Sequence, residues 1–164
     1  MSLAGRTLAA LSARRETLAV AESLTGGLLA ATLVDVPGAS DVFRGGLIVY
    51  ATDLKATLAG VDPALLAARG PVDPDVAVAL AEGARQRCGA QWGIATTGVA
   101  GPAAQDGAPV GTVFLGLAGP HGPHPARRLR LPIDLGRDGI RRRAVDEALT
   151  WLLGVAVSHT VGLM

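Results

Sequence analysis

Short apolar runs alternate with longer amphipathic segments along this chain, a pattern that predicts strands interleaved with helices. The runs of strand length, each short enough for a buried strand, are residues 17–21, 45–50, 92–97 and 110–117. The clearest helix is predicted at 73–87, where Val76, Leu80 and Ala84 recur at helical spacing among charged positions. Alternation of this kind is typical of an α/β domain in which helices pack on a sheet.

Further helical segments are predicted at residues 2–13, 28–33, 64–68 and 137–157. A short helix capped by Thr52 and Asp53 is predicted to carry Lys55. The strand 110–117 is followed by another at 126–131, and the Pro/Gly turn between them is short enough that the pair should be antiparallel. We therefore predict a mixed sheet with helices on both faces.

Length and composition indicate one domain, residues 1–164, with a core large enough to be stable without disulfides. The apolar fraction is 49% but only 3% of residues are aromatic, so Ala, Val and Leu must fill the core. The one cysteine, Cys88, lies in a predicted helix and is expected to be a small core residue rather than a nucleophile.

Charge and hydropathy exclude several classes of partner. Fifteen basic and fourteen acidic residues give a net charge of +1, which offers no electrostatic basis for nucleic acid as the main partner. The apolar runs at 8–11 and 151–157 are too short for a secretory signal or a membrane span. We expect a cytoplasmic protein with no membrane partner.

The segment Ala-Glu-Ser-Leu-Thr-Gly-Gly at 21–27 is where a strand passes into a helix and where chemistry is predicted. Ser23 would lie at the carboxyl end of a strand, the edge at which open α/β sheets bind ligands. Gly26 and Gly27 would let backbone N–H groups approach an anion or a developing oxyanion. The alternative is a structural role, with Thr25 as the N-cap of the helix and the glycines for tight packing.

A second candidate ligand loop, 97–102, also follows a predicted strand. Lys55 becomes significant if the strand ending at Tyr50 lies beside the strand that leads to Ser23, because a hydroxyl, a phenol and an amine then converge. Arg137 lies at a loop-to-helix junction and is a further candidate.

Other polar groups have simpler explanations. His121 and His124 flank a Pro/Gly turn without a cysteine or carboxylate at ligand spacing, so solvent exposure is expected and neither a metal nor another cofactor is predicted. The run 141–143, three arginines, is either a phosphate clamp or the solvated face of a helix.

Four blocks, in order and over nearly the whole chain, resemble the CinA C-terminal domain family. They are A-E-S-L-T-G-G at 21–27, G-G-L-I-V-Y at 45–50 followed by Lys55, T-G-V-A-G-P at 97–102 leading to P-V-G-T-V, and G-R-D-G-I-R at 136–141. The resemblance implies a three-layer α/β/α sandwich around a mixed β-sheet, assembled as a homodimer or higher homo-oligomer. It also implies hydrolysis of the carboxamide of a pyridine nucleotide, nicotinamide mononucleotide, with release of ammonia. The chain resembles the stand-alone form, without the large N-terminal domain of longer members.

Carried over position by position, the resemblance makes Ser23 the nucleophile, Lys55 its partner and Tyr50 a nearby catalytic group. The candidate substrate-binding residues are Thr25, Gly26, Gly27, Thr97, Gly98, Gly101, Arg137 and Arg141. The sequence departs from the family at Leu24, at Pro71 and Asp73, and at residues 103–105, which replace glycines. The last departure bears on how the second loop closes over substrate.

These residues suit acyl transfer, because a serine hydroxyl needs a neighbouring base and a desolvated, neutral lysine can serve as one. Backbone N–H groups around Gly26 and Gly27 would stabilise the oxyanion. Tyr50 would either relay a proton to the leaving ammonia or orient Lys55. A non-catalytic nucleotide-binding or protein-interaction module of the same fold is the alternative function, since a fold alone does not determine function.

Overall fold

The computed structural model describes residues 1–161, with side chains through Ser158, as helices packed on one mixed sheet. The helices are α1 (Leu3–Ala13), α2 (Leu28–Val34), α3 (Thr52–Thr57), α4 (Pro63–Arg69), α5 (Pro74–Arg87) and α6 (Gly136–Val161). The strands are β1 (Leu18–Glu22), β2 (Phe43–Ile48), β3 (Trp92–Gly98), β4 (Thr112–Gly119), β5 (Gly122–Pro123) and β6 (Arg127–Arg130).

The sheet places β1 between two parallel neighbours. Its order is β2-β1-β3-β4-β5, with β6 also paired to β4. Both β2 and β3 run parallel to β1, whereas β4 is antiparallel to β3, β5 and β6. The predicted mixed sheet, with helices on both sides, is confirmed. Since the chain leaves β1 toward β2 on one side and later enters β3 on the other, the carboxyl end of β1 lies at a topological switch point, where ligands bind in such sheets.

Alternate residues of β1 enter two different cores. Leu18 and Val20 pack with α1, α2 and α6 in a core that also contains Trp92. Ala19 and Ala21 face the opposite side, where they pack with α5. The predicted core of Ala, Val and Leu is therefore divided by the sheet into a face of large side chains and a face of small ones.

Helix α5 approaches the second face closely because glycines stand beneath it. A Cβ atom added to Gly93 would lie 2.0 Å from the carbonyl oxygen of Ala81, and one added to Gly116 would lie 1.9 Å from that of Ala77. No real side chain tolerates such distances, so the two glycines set the spacing between helix and sheet.

Several sequence-based expectations are corrected. The second strand is β2, Phe43–Ile48, which lies at the edge of the sheet and alternates between half-buried and exposed residues, so it is not a buried strand. Tyr50 lies beyond its end. The predicted caps of the next helix are also wrong: Thr52 and Asp53 lie inside α3, and its N-cap, Ala51, makes no side-chain hydrogen bond.

Most other elements match their predicted positions within a few residues. The exception is β5, a two-residue strand inside the predicted turn at 119–123. No helix in the described part of the chain is long and apolar enough to cross a membrane.

Candidate active site

A cleft opens at the carboxyl ends of β1 and β3 and encloses roughly 560 Å³, including space open to solvent. Its walls come from the end of β1, the loop after β2 together with α3, the loop before α5, the loop after β3 and the start of α6. The sequence-predicted residues that line it are Ser23, Tyr50, Lys55, Thr97, Gly98, Gly101 and Arg137. The parallel pairing of β1 with β2 and β3 is what brings these distant segments together.

Lys55 and Ser23 form the centre of the cleft. Lys55 is only 1% exposed, and its Nζ lies 3.2 Å from Ser23 Oγ. The same nitrogen donates to the carbonyl oxygens of Val49, at 2.7 Å, and Tyr50, at 3.4 Å. Burial, which penalises the charged form, lowers the pKa of Lys55 to about 8. Neutral Lys55 is therefore a minor form at pH 7 and becomes the major form above about pH 8.

A neutral lysine matches this set of contacts. Its two remaining N–H groups can donate to Val49 and Tyr50, and its lone pair can accept the hydroxyl hydrogen of Ser23. With a neutral amine, the two carbonyl oxygens would orient its lone pair toward the serine, which is the geometry that activation of a serine nucleophile needs.

The turn that carries Ser23 is held by main-chain hydrogen bonds. The Ser23 N–H donates to the carbonyl oxygen of Thr96 on β3, and the Gly26 N–H donates back to that of Ser23. Both glycines have positive φ, +58° at Gly26 and +102° at Gly27, which an L side chain would adopt only with strain.

The side chain of Glu22, and not that of Thr25, caps the N-terminus of α2. Its buried carboxylate accepts the N–H groups of Gly27, Leu29 and Ala30 at 3.2, 2.8 and 2.9 Å. The expectation that the N–H groups of Gly26 and Gly27 face an oxyanion is therefore corrected, since both are already bonded within the protein and neither residue lines the cleft.

Thr25 and Arg141 also support the turn rather than line the cleft. Thr25 is not the N-cap of α2; its buried hydroxyl pairs with that of Thr96 at 2.7 Å. Arg141 donates from Nε to the carbonyl oxygen of Leu24 at 2.9 Å and from Nη2 to that of Thr25 at 3.0 Å. These contacts join α6 to the turn, and Arg141 itself does not line the cleft.

Arg137 is the arginine at the mouth of the cleft. Its guanidinium donates to the carbonyl oxygen of Gly101 and, at 3.0 Å, to the hydroxyl of Tyr50. The Tyr50 side chain is 60% exposed at the rim. Tyr50 therefore contacts Lys55 through its main-chain carbonyl, while its phenol contacts Arg137.

Four of the residues that depart from the family pattern line the same cleft, namely Leu24, Pro71, Ala103 and Gln105. Thr97 donates its hydroxyl hydrogen to the carbonyl oxygen of Pro71 at 2.6 Å, which joins the loop before α5 to β3. Asp73 is the N-cap of α5 and accepts the N–H groups of its first turn. Ala103 and Gln105 line the cleft from the second loop.

The remaining candidates lie elsewhere. His121 is exposed, but His124 is half-buried and stacks on Trp92 with ring centroids 6.3 Å apart, so only the first meets the expectation of exposure. Arg142 and Arg143 pair with acidic residues one turn along α6 and form a solvated face. Cys88 is half-buried at the end of α5. Within residues 1–158, no three His, Cys, Asp or Glu side chains are grouped to hold a metal.

Sequence reasoning missed Glu22 and Leu24. A signal existed for Glu22, because a carboxylate in an otherwise apolar strand must find donors when it is buried. For Leu24 none existed, since its side chain belongs to the core while the residue also lines the cleft.

Comparison with known proteins relates the chain to one family. The sequence profile of the CinA C-terminal domain matches residues 1–156. A CinA-like protein of Frankia casuarinae is 57% identical over 148 residues, which are 90% of this chain and 34% of that protein. A putative competence-damage inducible protein of Moorella thermoacetica is 52% identical over 112 residues, 68% of this chain and 27% of that protein. The chain thus spans about a third of the length of such relatives.

Solved structures match over most of their length. The competence/damage inducible protein CihA of Agrobacterium tumefaciens superposes with a TM-score of 0.88 at 34% identity, covering 93% of this chain and 92% of that one. A CinA superfamily protein of Klebsiella pneumoniae gives a TM-score of 0.90 at 28% identity, with coverage of 95% and 96%.

Proposed function

The chain belongs to the CinA C-terminal domain family, and from that premise we propose that it hydrolyses the carboxamide of nicotinamide mononucleotide to nicotinate mononucleotide and ammonia. The observation that carries this proposal is the 3.2 Å contact between Ser23 Oγ and Lys55 Nζ. A buried lysine whose pKa is lowered to about 8 is a base suited to activating a serine.

The first half-reaction forms an acyl-enzyme. Ser23 Oγ attacks the carboxamide carbon while Lys55 Nζ takes the hydroxyl proton. The C–N bond then breaks, and the proton on Lys55 passes to the departing nitrogen, which leaves as ammonia. Lys55 ends this step neutral and Ser23 carries the nicotinoyl ester.

The second half-reaction uses water in place of the serine. Lys55 takes a proton from a water molecule as its oxygen attacks the ester carbon. The C–O bond to Ser23 breaks, and Lys55 returns the proton to Ser23 Oγ. Nicotinate mononucleotide leaves, and the original protonation state is restored. Throughout, the carbonyl oxygens of Val49 and Tyr50 keep the amine in place.

Binding of the 5′-phosphate is proposed for Arg137 and the loop 97–101. Arg137 uses part of its five-donor guanidinium on Gly101 and Tyr50, and its other N–H groups can meet an anion. Gly98 and Gly101 line the cleft and allow close approach of a ligand to the backbone. Arg137 thus takes the role that the sequence offered to Arg141.

We also propose that the protein works in the cytoplasm as a homodimer or higher homo-oligomer, as the family resemblance implies. Light scattering on the purified protein tests the assembly, and a monomer at all concentrations would reject it. A pyridine nucleotide is the proposed small-molecule partner, and no cofactor is assigned a role.

The test is ammonia release from nicotinamide mononucleotide by the purified chain, with Ser23→Ala as the matched control. Stoichiometric ammonia and nicotinate mononucleotide from the wild type alone support the proposal. If calorimetry shows nucleotide binding but no ammonia appears over a broad pH range, the protein is instead a binding module.

A further inference from the structure

Arg141 forms hydrogen bonds with the carbonyl groups of the two residues that follow Ser23. Its Nε and Nη2 donate to the carbonyl oxygens of Leu24 and Thr25, residues 117 and 116 positions away in sequence. A guanidinium is suited to this task, because its N–H groups lie in one rigid plane and can meet two neighbouring acceptors at once. Helix α6 thereby holds the Ser23 turn through these two hydrogen bonds.

Hydrogen bonds on both sides of Leu24 determine its backbone conformation. The peptide unit before Leu24 is held by the hydrogen bond from the Gly26 N–H to the Ser23 carbonyl oxygen. The unit after it is held by Arg141. Because each peptide unit is planar, fixing both units fixes both torsions of Leu24 and the direction of its N–H.

The Leu24 N–H has the properties of an oxyanion donor. Leu24 follows the nucleophile and lines the cleft, and within residues 1–161 its N–H has no hydrogen-bond acceptor. Since the Ser23 carbonyl points toward Gly26, the N–H of the same trans peptide unit points the opposite way. The N–H groups of Gly26 and Gly27, by contrast, already have acceptors.

We propose that the Leu24 N–H is a donor of the oxyanion hole and that Arg141 is a positioning residue that holds it there. This inference rests on the proposed function for Ser23 as nucleophile. It separates two arginines of α6 by role: Arg137 binds substrate, whereas Arg141 acts on the transition state through the backbone.

Kinetics distinguish positioning from substrate binding. Arg141→Met removes both hydrogen bonds, and Arg141→Lys can restore one of them. For positioning, Arg141→Met lowers kcat roughly 100-fold, the order expected for loss of an oxyanion donor, with KM little changed. Arg141→Lys recovers part of this loss, and both variants keep the wild-type pH midpoint because Lys55 is untouched. Arg143→Met, an exposed position on the same helix, is the control for lost charge and retains wild-type kcat.

A raised KM with unchanged kcat in Arg141→Met would make Arg141 a substrate ligand and overturn the inference. Wild-type kcat and KM in that variant would equally overturn it. Circular dichroism identifies any variant that fails to fold, and Arg141→Lys then carries the comparison.

A second measurement does not require the proposed substrate. Attack of Ser23 Oγ on an alkyl fluorophosphonate forms a P–O bond, breaks the P–F bond and releases fluoride, while the serine proton goes to Lys55. The phosphonyl oxygen needs the same donor as the tetrahedral intermediate. Intact-mass measurement should show Ser23 labelled far more slowly in Arg141→Met than in wild type or Arg143→Met. Equal labelling rates would reject the positioning role, even if the wild type fails to hydrolyse nicotinamide mononucleotide.

Discussion

Lys55 Nζ lies closer to the carbonyl oxygen of Val49, at 2.7 Å, than to the hydroxyl of Ser23, at 3.2 Å. The amine is thus anchored by the backbone at the end of β2 and presented to the serine. This anchoring explains how a buried lysine can have a fixed direction for proton transfer. In the proposed mechanism, activity then depends on whether this amine is protonated.

Activity should rise with pH and reach half its maximum near the pKa of Lys55, about 8. The sign follows because neutral Lys55 is the base, and neutral lysine accumulates above its pKa. The measurement is kcat/KM for nicotinamide mononucleotide between mildly acidic and alkaline pH. Lys55→Arg should be inactive across the range, since arginine does not deprotonate. A flat profile, or one that falls with pH, would exclude Lys55 as the base.

The free energy of unfolding should also depend on the ionisation of Lys55. Burial lowers the pKa of Lys55 from 10.5 to about 8, so between these values the unfolded chain binds more protons than the folded one. The contribution of Lys55 to the free energy of unfolding therefore increases as pH rises through this window. Urea denaturation of wild type and Lys55→Met at several pH values measures it. A difference between them that does not change with pH would contradict the prediction.

Ser23 and Lys55 should act as one unit. Ser23→Ala removes the attacking oxygen and Lys55→Met removes its activation, so each change should lower kcat by orders of magnitude. The double variant should cost little more than either single one, because both serve a single proton transfer. Steady-state turnover of the four proteins, with circular dichroism as a folding control, measures this. Near-normal turnover in folded Ser23→Ala would leave direct attack by water as the mechanism.

Removal of the Arg137 guanidinium should act mainly on KM for nicotinamide mononucleotide, which should rise. A hydrogen bond to a charged group is worth about 1.5–3 kcal/mol, so Arg137→Met should weaken binding of the 5′-phosphate by roughly 10- to 150-fold. Free nicotinamide, which lacks the phosphate, should be a poor substrate for the wild type and little affected by the change. Equal efficiency with nicotinamide and its mononucleotide would contradict phosphate recognition.

Loss of the Glu22 carboxylate should destabilise the fold. Glu22→Ala leaves the N–H groups of Gly27, Leu29 and Ala30 without their acceptor, at a cost of about 1–3 kcal/mol in the free energy of unfolding. Chemical denaturation measures it. Glu147→Ala, on the exposed face of α6, is the control and should change stability by less than about 0.5 kcal/mol. Equal stabilities would show that the cap contributes nothing.

Two glycine-to-alanine substitutions should change the stability of the fold in opposite directions. Gly116→Ala forces a Cβ to within 1.9 Å of the Ala77 carbonyl oxygen and should destabilise the fold by about 1–3 kcal/mol. Gly154 lies in α6, and no atom stands within 4 Å of a Cβ added there. Gly154→Ala should therefore stabilise the fold by about 0.5–1 kcal/mol, because alanine lowers the conformational entropy of the unfolded chain. Thermal denaturation of both variants provides the test, and a stable Gly116→Ala protein would mean that α5 can move away from the sheet.

The architecture was predictable because local patterns agreed with it. The apolar runs, the amphipathic segment that became α5 and the short turn before β6 each carry a period or a length that fixes their type. The edge position of β2 was not predictable, since an apolar run does not tell which strand is its neighbour. The pairing of β1 with β2 and β3 depends on the whole chain.

The candidate site was predictable only in part, because Thr25, Gly26, Gly27 and Arg141 were expected to bind substrate but do not line the cleft. Ser23, Tyr50, Lys55 and Arg137 converge on one cleft, as the sequence indicated. The motif could not show which N–H groups of residues 21–27 remain available, because that depends on where the Glu22 carboxylate turns. Nor could it separate Arg137 from Arg141, which lie four residues apart on α6. Arg137 bonds to Gly101 and Tyr50 across the cleft, whereas Arg141 bonds to the main chain of the Ser23 turn.

The two faces of the sheet should differ in how well they tolerate substitution. On the face of large side chains, a loss of volume at Ile94 can be offset by a gain at its cross-strand neighbour Leu117, so compensating substitutions can accumulate. On the α5 face, Gly93 and Gly116 already have the smallest possible side chain, and every substitution there adds atoms where none fit. Sequence drift in this domain should therefore concentrate on one side of its sheet, and a mutagenesis library aimed at new variants should leave the other side unchanged.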